Sequence, residues 1–372
     1  MEIRKKIIIV AAIIIVLATI VIVCLNLTGT ISMTRTKTEL KKTNDTTVVP
    51  TMLDELTADS TWCATFQLIW NDLKNEVAKQ DIVFSPQEVM ADNLNKESFT
   101  ESMISDEYYY KKYGFKSLEL KAEIEKGIKD KFNQTSDILD KFDWSEDALN
   151  NPNNPNTNRY FFYTMLYREF EFLNEFDKLE DGNFGKYTGV KYFGIDANTA
   201  DKVGNQIDVL YYNSEDDFAV FLNTKTDDEV IFVKNPQGTT FKEIYEDMLA
   251  ETQKYDGSRS FNKIDEFKAP MLTYDEEREY EELQEKEFPT AFGRGLIVKA
   301  IQTIKFELNE KGGKIKSEAG MDMMDTATAI IVDKKPTPRY FYVDDTFAIF
   351  LKEAGKSMPY FAGRVEDITK YQ

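Results

Sequence analysis

Apolar positions along the chain follow two different periods, and a helical period dominates the first part. Five apolar residues recur three to four positions apart, as on one helix face: Trp62, Phe66, Ile69, Leu73 and Val77. This spacing predicts an amphipathic helix, and Lys116–Phe132 repeats it. Between them, Asp81–Pro86 is a short apolar run stopped by proline, which predicts a buried strand.

After the turn-rich stretch 150–156, β-type patterns dominate. Short runs of β-branched and aromatic residues predict strands at 159–163, 207–212, 218–223, 229–233, 297–308, 327–332, 340–343 and 347–352. Helical patterns intervene at Thr240–Thr252 and Thr273–Glu287, and the latter carries many acidic residues typical of a solvated face. Helices first and long antiparallel strands afterwards predict an α+β fold.

The N-terminus carries a different signal. Residues 7–25 form an uncharged apolar run, and its length matches the hydrocarbon thickness of a bilayer. We therefore predict a cytoplasmic stub at 1–6 and a single transmembrane anchor at 7–27. A Thr-rich stalk then spans 28–58, and an extracellular domain occupies 59–372. A cleaved signal peptide is the alternative, although no A-x-A-like site follows the run.

Composition narrows the functions that are possible. The chain has no histidine, which excludes Ser–His–Asp and Cys–His catalysis and His-ligated zinc. Its net charge of −19 disfavours nucleic acid as a partner. We expect no enzyme activity, no cofactor and no metal site. Cys63 has no partner outside the membrane segment and is predicted to be a buried apolar residue. The Lys/Asn/Ile/Tyr-rich usage suggests a bacterial source.

Five segments resemble serpin sequence motifs. Ile304–Gly312 resembles the strand that ends in Glu-x-Gly before the reactive loop, and Tyr340–Phe350 resembles the segment in which a buried Phe follows that loop. Met358–Val365 looks like the C-terminal strand with its Gly-Arg-Val. Ile82–Pro86 is similar to the Phe-Ser-Pro turn after the first helix, and Ile264–Met271 is a looser match to a further strand.

The resemblance implies a serpin-like fold with large, mostly antiparallel sheets and an exposed loop near the C-terminus. It implies a monomer that inhibits an extracellular serine or cysteine protease through the loop Gly312–Pro338. After cleavage, that loop enters the main sheet as an extra strand. The residues that would form its hinge, in two alternative registers, are Glu310, Gly312, Gly313, Glu318, Gly320, Thr326, Ala327, Thr328 and Ala329.

The family spacing places the cleaved bond after Lys334 or Lys335. Lysine suits a trypsin-like protease, and Lys334 is preferred because Pro336 follows Lys335. Lys314 and Lys316 place charge in the first register of the hinge, and Asp322 and Asp325 do so in the second. These charges oppose insertion, since burying an unpaired charge costs several kcal/mol. The alternative is a serpin-like binding module on the cell surface whose loop cannot insert, with Asp333–Pro338 as an ordinary charged turn.

Overall fold

Strands dominate the computed structural model, which describes residues 46–153, 158–195, 203–317 and 337–372. Residues 41–372 form one compact unit. The predicted stub, the predicted anchor and most of the predicted stalk lie outside the described residues. Within the described ranges, no helix is both long enough and apolar enough to cross a bilayer.

The folded unit includes the end of the predicted stalk. Thr47–Val49 forms strand β1, which pairs in parallel with β2, Ser60–Cys63. Val48, Val49 and Met52 are buried. Residues 46–58, assigned to the stalk from their polar composition, therefore pack onto the domain because these few apolar side chains join its core.

Four α-helices lie in the described ranges: α1 (Thr65–Asp72), α2 (Val89–Asn95), α3 (Leu118–Phe132) and α4 (Phe241–Lys254). A π-helical turn, Leu73–Ala78, extends α1. Ser117 caps α3, because its hydroxyl accepts a hydrogen bond from the Leu120 amide. Thr240 caps α4 in the same way. The helices predicted at Lys116–Phe132 and Thr240–Thr252 are thus confirmed, whereas the first predicted helix begins only after β2.

Three larger sheets, mostly antiparallel, build the domain. The seven-stranded sheet has the order β1, β2, β20 (Phe361–Val365), β19 (Phe347–Glu353), β11 (Asp228–Lys234), β10 (Asp217–Asn223) and β9 (Ile207–Ser214). The five-stranded sheet has the order β13 (Leu272–Glu279), β16 (Ile301–Asn309), β17 (Gly312–Ser317), β4 (Tyr160–Glu171) and β3 (Tyr109–Phe115). The four-stranded sheet has the order β18 (Tyr340–Tyr342), β12 (Glu266–Pro270), β8 (Tyr192–Gly194) and β5 (Asp177–Lys178).

Two hairpins complete the described strands, β6 (Gly182–Phe184) with β7 (Tyr187–Val190) and β14 (Glu287–Thr290) with β15 (Gly293–Leu296). The largest apolar cluster joins the five-stranded and seven-stranded sheets. A second cluster lies between α3 and the opposite face of the five-stranded sheet. A third surrounds α1, α2 and β14. The five-stranded sheet is therefore covered on both faces.

Two sequence predictions are wrong in this region. Thr273–Glu287 is not a helix, because Leu272–Glu279 forms β13 and pairs along its whole length with β16. Every second side chain there, including Tyr274 and Glu276, points into the core. Asp81–Pro86 is extended but pairs with no described strand, although Ile82 and Phe84 are buried.

Candidate functional site

The predicted hinge begins as a central strand. β17 lies between β16 and β4 and is antiparallel to both, with Ser317 opposite Ile304 on one side and Leu166 on the other. A tight turn at Glu310 and Lys311 connects β16 to β17. Glu310 is buried, its carbonyl accepts a hydrogen bond from the Phe176 amide (2.9 Å), and its carboxylate lies 3.3 Å from Lys178 Nζ.

Glycine is required at the start of β17. Gly312 has φ +146°, and a Cβ there would lie 2.2 Å from the carbonyl oxygen of Phe170 on β4. A Cβ on Gly313 would lie 2.5 Å from Cζ of the same phenylalanine. Both glycines therefore allow β4 to approach β17, and any side chain at Gly312 displaces the backbone of one strand.

We predict that Gly312→Ala weakens the pairing of β17 with β4 and lowers stability by about 1–3 kcal/mol. Gly293→Ala is a matched control, because Gly293 has nearly the same φ, +151°, but nothing within 4 Å of its Cβ position. Urea unfolding and hydrogen exchange of the β17 amides measure the effect. Equal losses of stability in the two variants would show that backbone strain, and not the contact with Phe170, causes the effect.

The lysines of β17 do not enter the core. Lys314 and Lys316 point to the α3 side of the sheet, where Lys314 Nζ lies 2.8 Å from Glu169 and Lys316 Nζ lies 2.8 Å from Asp137. Lys305 of β16 lies 3.4 Å from the same Asp137 carboxylate. Burial alone would raise the pKa of Asp137, but the two lysines outweigh it and hold that pKa below its ordinary value. Both lysine charges are therefore paired on the α3 face of the sheet, and their effect on loop insertion stays a prediction.

The opposite face of β17 closes onto a buried polar network. The Ser317 hydroxyl lies 3.1 Å from Thr65 Oγ1 at the start of α1. Gln302 of β16 donates to Thr65 and to the Cys63 carbonyl, and it accepts from Tyr280 OH at 2.6 Å. Cys63 lies beside this network, and burial raises the pKa of its thiol to about 11. The thiol is therefore protonated and buried, as the sequence predicts.

Beyond Ser317, no described strand lies between β4 and β16. Residues 160–165 of β4 pair with β3 but, within the described ranges, with nothing on their other side. Residues 301–303 of β16 likewise pair only with β13 among the described strands. A cavity of about 1050 Å³ occupies the space between these two segments and extends toward α1. Among the described residues, β17 thus fills the upper part of the sheet, and no strand fills the lower part.

Arg339, near the start of the last described range, is held by several contacts. Arg339 Nη2 lies 2.6 Å from the buried carboxylate of Asp265, and Arg339 also donates to the carbonyls of Ser258 and Ser260. β18 follows directly and pairs with β12. Phe347 at the start of β19 is fully buried. Both flanks of the predicted reactive loop are therefore anchored to the folded domain.

The remaining predicted loop residues lie outside the described part of the chain: Glu318, Gly320, Thr326, Ala327, Thr328, Ala329, Lys334 and Lys335. Sequence reasoning did not find Thr65, Thr164, Gln302 or Phe170, which form the surroundings of β17. These residues are far apart in the chain and follow no local motif, so only the strand pairing brings them together. In the described ranges, no group of three or more acidic or cysteine residues is arranged to hold a metal ion.

The site defines a class of protein, an α+β domain whose loop near the C-terminus begins inside a sheet. No family model and no curated protein matches the sequence. Among solved structures, cleaved Serpin 42Da is 16% identical, with a TM-score of 0.42, and the alignment covers 66% of this chain and 64% of that one.

Two further solved structures are similar at the same level. Serpin48 of the insect Tenebrio molitor is 15% identical, with a TM-score of 0.42 and coverage of 83% of this chain and 92% of that chain. Human thyroxine-binding globulin complexed with thyroxine is 13% identical, with a TM-score of 0.36 and coverage of 70% of this chain and 76% of that chain. Similarities with TM-scores below 0.5 do not establish a function. The function is therefore inferred from the chain's own residues.

Proposed function

We propose that the chain is a serpin-like inhibitor of serine or cysteine endopeptidases, tethered to the cell surface through residues 7–27. The observation that supports this proposal best is the placement of β17. The serpin resemblance implies that the chain after Glu310-Lys311-Gly312 enters the main sheet. Gly312–Ser317 lies at the centre of the five-stranded sheet, directly beside a segment that no described strand fills.

The sequence after Ser317 suits that unfilled segment. If β17 continues in register after cleavage, Ala319, Met321 and Met323 face the apolar α1 side, because Ile315 and Ser317 already do so. Glu318 and Asp322 then face the α3 side, the side of Lys314 and Lys316. In the same register, Asp322 comes opposite Lys299 at the lower end of the gap. This alternation of small or apolar residues with acidic ones is what a strand between an apolar face and a lysine-rich face requires.

A covalent adduct tests the inhibitor function. The fragment 41–372, which includes β1, is mixed with trypsin, and the products are separated on a denaturing gel. We expect an SDS-stable adduct that disappears with Lys334→Ala and persists with Lys186→Ala, a lysine in the β6–β7 turn. Simple clipping of the loop without an adduct, at every protease ratio, would contradict inhibition.

Cleavage is also expected to stabilise the fragment. Burying Ala319, Met321 and Met323 contributes about 5 kcal/mol. In a domain of this size, that raises the melting temperature by roughly 10 °C. Calorimetry before and after cleavage measures the shift. The outer location is tested separately, because a protease added to intact cells should release the domain.

The second candidate is a binding module with the same fold. It is favoured by one observation, that β17 already occupies the upper part of the sheet in the uncleaved chain. In this case the loop is cut without an adduct, and the melting temperature does not change. The adduct assay and the melting temperature therefore distinguish the two proposed functions.

A further inference from the structure

β1 is held by few contacts. It is three residues long, lies at the edge of the seven-stranded sheet and, among the described strands, pairs only with β2. Beyond that ladder, the Thr47 amide donates to the Asp59 carbonyl at 2.9 Å, and Arg278 of β13 donates to the Val48 carbonyl. Short edge segments with so few contacts open more easily than the centre of a sheet.

The chain that follows β1 is held more firmly. The Leu56 amide donates to the Thr239 carbonyl, and the Met52 carbonyl accepts from the Lys242 amide of α4, both at 2.9 Å. These bonds fasten the chain after β1 to the rest of the domain. Residues 46–49, which we call the latch, can therefore lift from β2 without moving the elements that follow.

A buried carboxylate lies beneath the latch. Glu276 of β13 is 3% exposed, and its carboxylate accepts a hydrogen bond from Thr61 Oγ1 at 3.0 Å. Thr61 lies on β2 directly opposite Val48 of the latch. The second carboxylate oxygen of Glu276 has no partner among the described residues. The latch thus covers a polar group that is only half satisfied, and lifting the latch gives water access to that group.

The groups around Glu276 do not neutralise its charge. The acids and phenols that act on it are Asp59 before β2, Asp275 and Tyr274 on β13, and Tyr371 after the turn Ile368–Lys370. The cations on neighbouring elements, Arg278, Arg364 and Lys370, are bonded to the carboxylates of Glu282, Glu366 and Asp59. In the described part of the chain, no cation forms a salt bridge with Glu276.

The closed latch therefore favours the neutral form of Glu276. Burial raises the pKa of its carboxyl to about 7, the hydroxyls of Thr61 and Thr46 oppose that rise, and the charges of Asp59 and Asp275 add to it. An ionised carboxylate in such a place is unfavourable until water reaches it. The shortest route for water is the removal of the edge strand above it.

We propose that the latch is held closed by a proton on Glu276 and opens when that proton is lost. With Glu276 neutral, β1 stays paired with β2 and covers the carboxyl. With Glu276 ionised, lifting of residues 46–49 solvates the charge and exposes the otherwise buried Val48 and Val49. This pH-sensitive device uses neither the reactive loop nor a protease, so it does not depend on the proposed function.

Hydrogen exchange of the fragment 41–372 tests the latch. Protection factors are measured, because they remove the intrinsic pH dependence of exchange. For the β1 amides we expect a fall of up to roughly 70-fold from pH 5 to pH 8, since opening returns the Glu276 pKa from about 7 to its ordinary 4.5. The fall should level off above pH 7. Low urea should not change it, because the opening is local, whereas amides of β19 exchange only on global unfolding.

Two variants control the experiment. Glu276→Gln should abolish the pH dependence of β1 protection, and Glu277→Gln, which changes an exposed acid paired with Lys141 on the other face of β13, should leave it intact. The proposal is overturned if β1 amides exchange only together with those of β19. It is equally overturned if Glu276→Gln keeps the full pH dependence.

A thiol in the latch gives a second measurement that keeps Glu276. In Val48→Cys, the rate of reaction with iodoacetamide is compared with that of an unfolded peptide of the same sequence at each pH. The ratio of the two rates should rise up to about pH 7 and then stay constant. A ratio that does not change with pH contradicts the latch, even if Glu276→Gln does not fold. The buried Cys63 should remain unreactive throughout.

Discussion

Asp228→Ala should destabilise the fragment 41–372 by about 3–5 kcal/mol, because it leaves Arg168, whose side chain is only 18% exposed, without its buried partner. Arg168 of β4 and Asp228 of β11 join the five-stranded and seven-stranded sheets, with Nε and Oδ2 2.7 Å apart. Tyr360 OH donates to the other carboxylate oxygen at 2.9 Å. The guanidinium lies over the Tyr108 ring, 3.9 Å from its centroid. Burial raises the pKa of Asp228, and Arg168 opposes that shift.

Urea unfolding measures this loss, and two variants control it. Lys225→Ala breaks an exposed pair with Glu171, 2.8 Å long, near the end of β4, and should leave the free energy of unfolding nearly unchanged. The double variant Asp228→Leu with Arg168→Met replaces both charges by apolar groups and should recover most of the stability. If the double variant is as unstable as Asp228→Ala, the uncompensated charge is not the cause.

Glu276→Gln should stabilise the domain by about 3 kcal/mol at pH 8 and by almost nothing at pH 4. Glu276 of β13 is 3% exposed, and burial raises the pKa of its carboxyl to about 7. One oxygen accepts from Thr61 Oγ1 at 3.0 Å, while the other has no partner among the described residues. Asp59 nearby raises the pKa further.

The direction of this pH dependence follows from the pKa of Glu276 in the folded and unfolded states. Between its ordinary pKa of 4.5 and a folded value of about 7, the folded state holds the Glu276 proton more tightly than the unfolded state does. Stability therefore falls as the pH rises through this window, and the neutral glutamine abolishes that fall. Thermal unfolding from pH 4 to pH 8 measures it, with Glu277→Gln on the opposite face of β13 as control. An unchanged pH dependence in Glu276→Gln would show that another group is responsible.

Local patterns predicted the helices and strands well where the two periods were distinct. They failed at β13, because its acidic side chains hide an alternation in which Tyr274 and even Glu276 face the core. Glu310, Gly312 and Gly313 were named as hinge residues from the serpin resemblance. That Gly312–Ser317 is already a central strand was not foreseeable, because its partners on β4 lie about 140 positions earlier in the chain.

The two lysines of β17 also show what a local sequence pattern cannot predict. In sequence, Lys314 and Lys316 are charges at positions that must enter a sheet. In the fold, they alternate with buried residues, and Asp137 from the segment after α3 neutralises one of them. Sequence shows the charge of each residue, but the face it occupies and the partner it meets depend on contacts with distant segments.

The clamp between Arg339 and Asp265 sets a length limit on the uncut chain. The 21 residues between Ser317 and Arg339 reach about 70 Å when fully extended. If β17 lengthened by six residues, about 20 Å of chain would become part of the strand. The remaining 15 residues of the loop could still span about 50 Å to Arg339. The number of residues in the loop alone therefore does not prevent a longer β17 in the uncut chain.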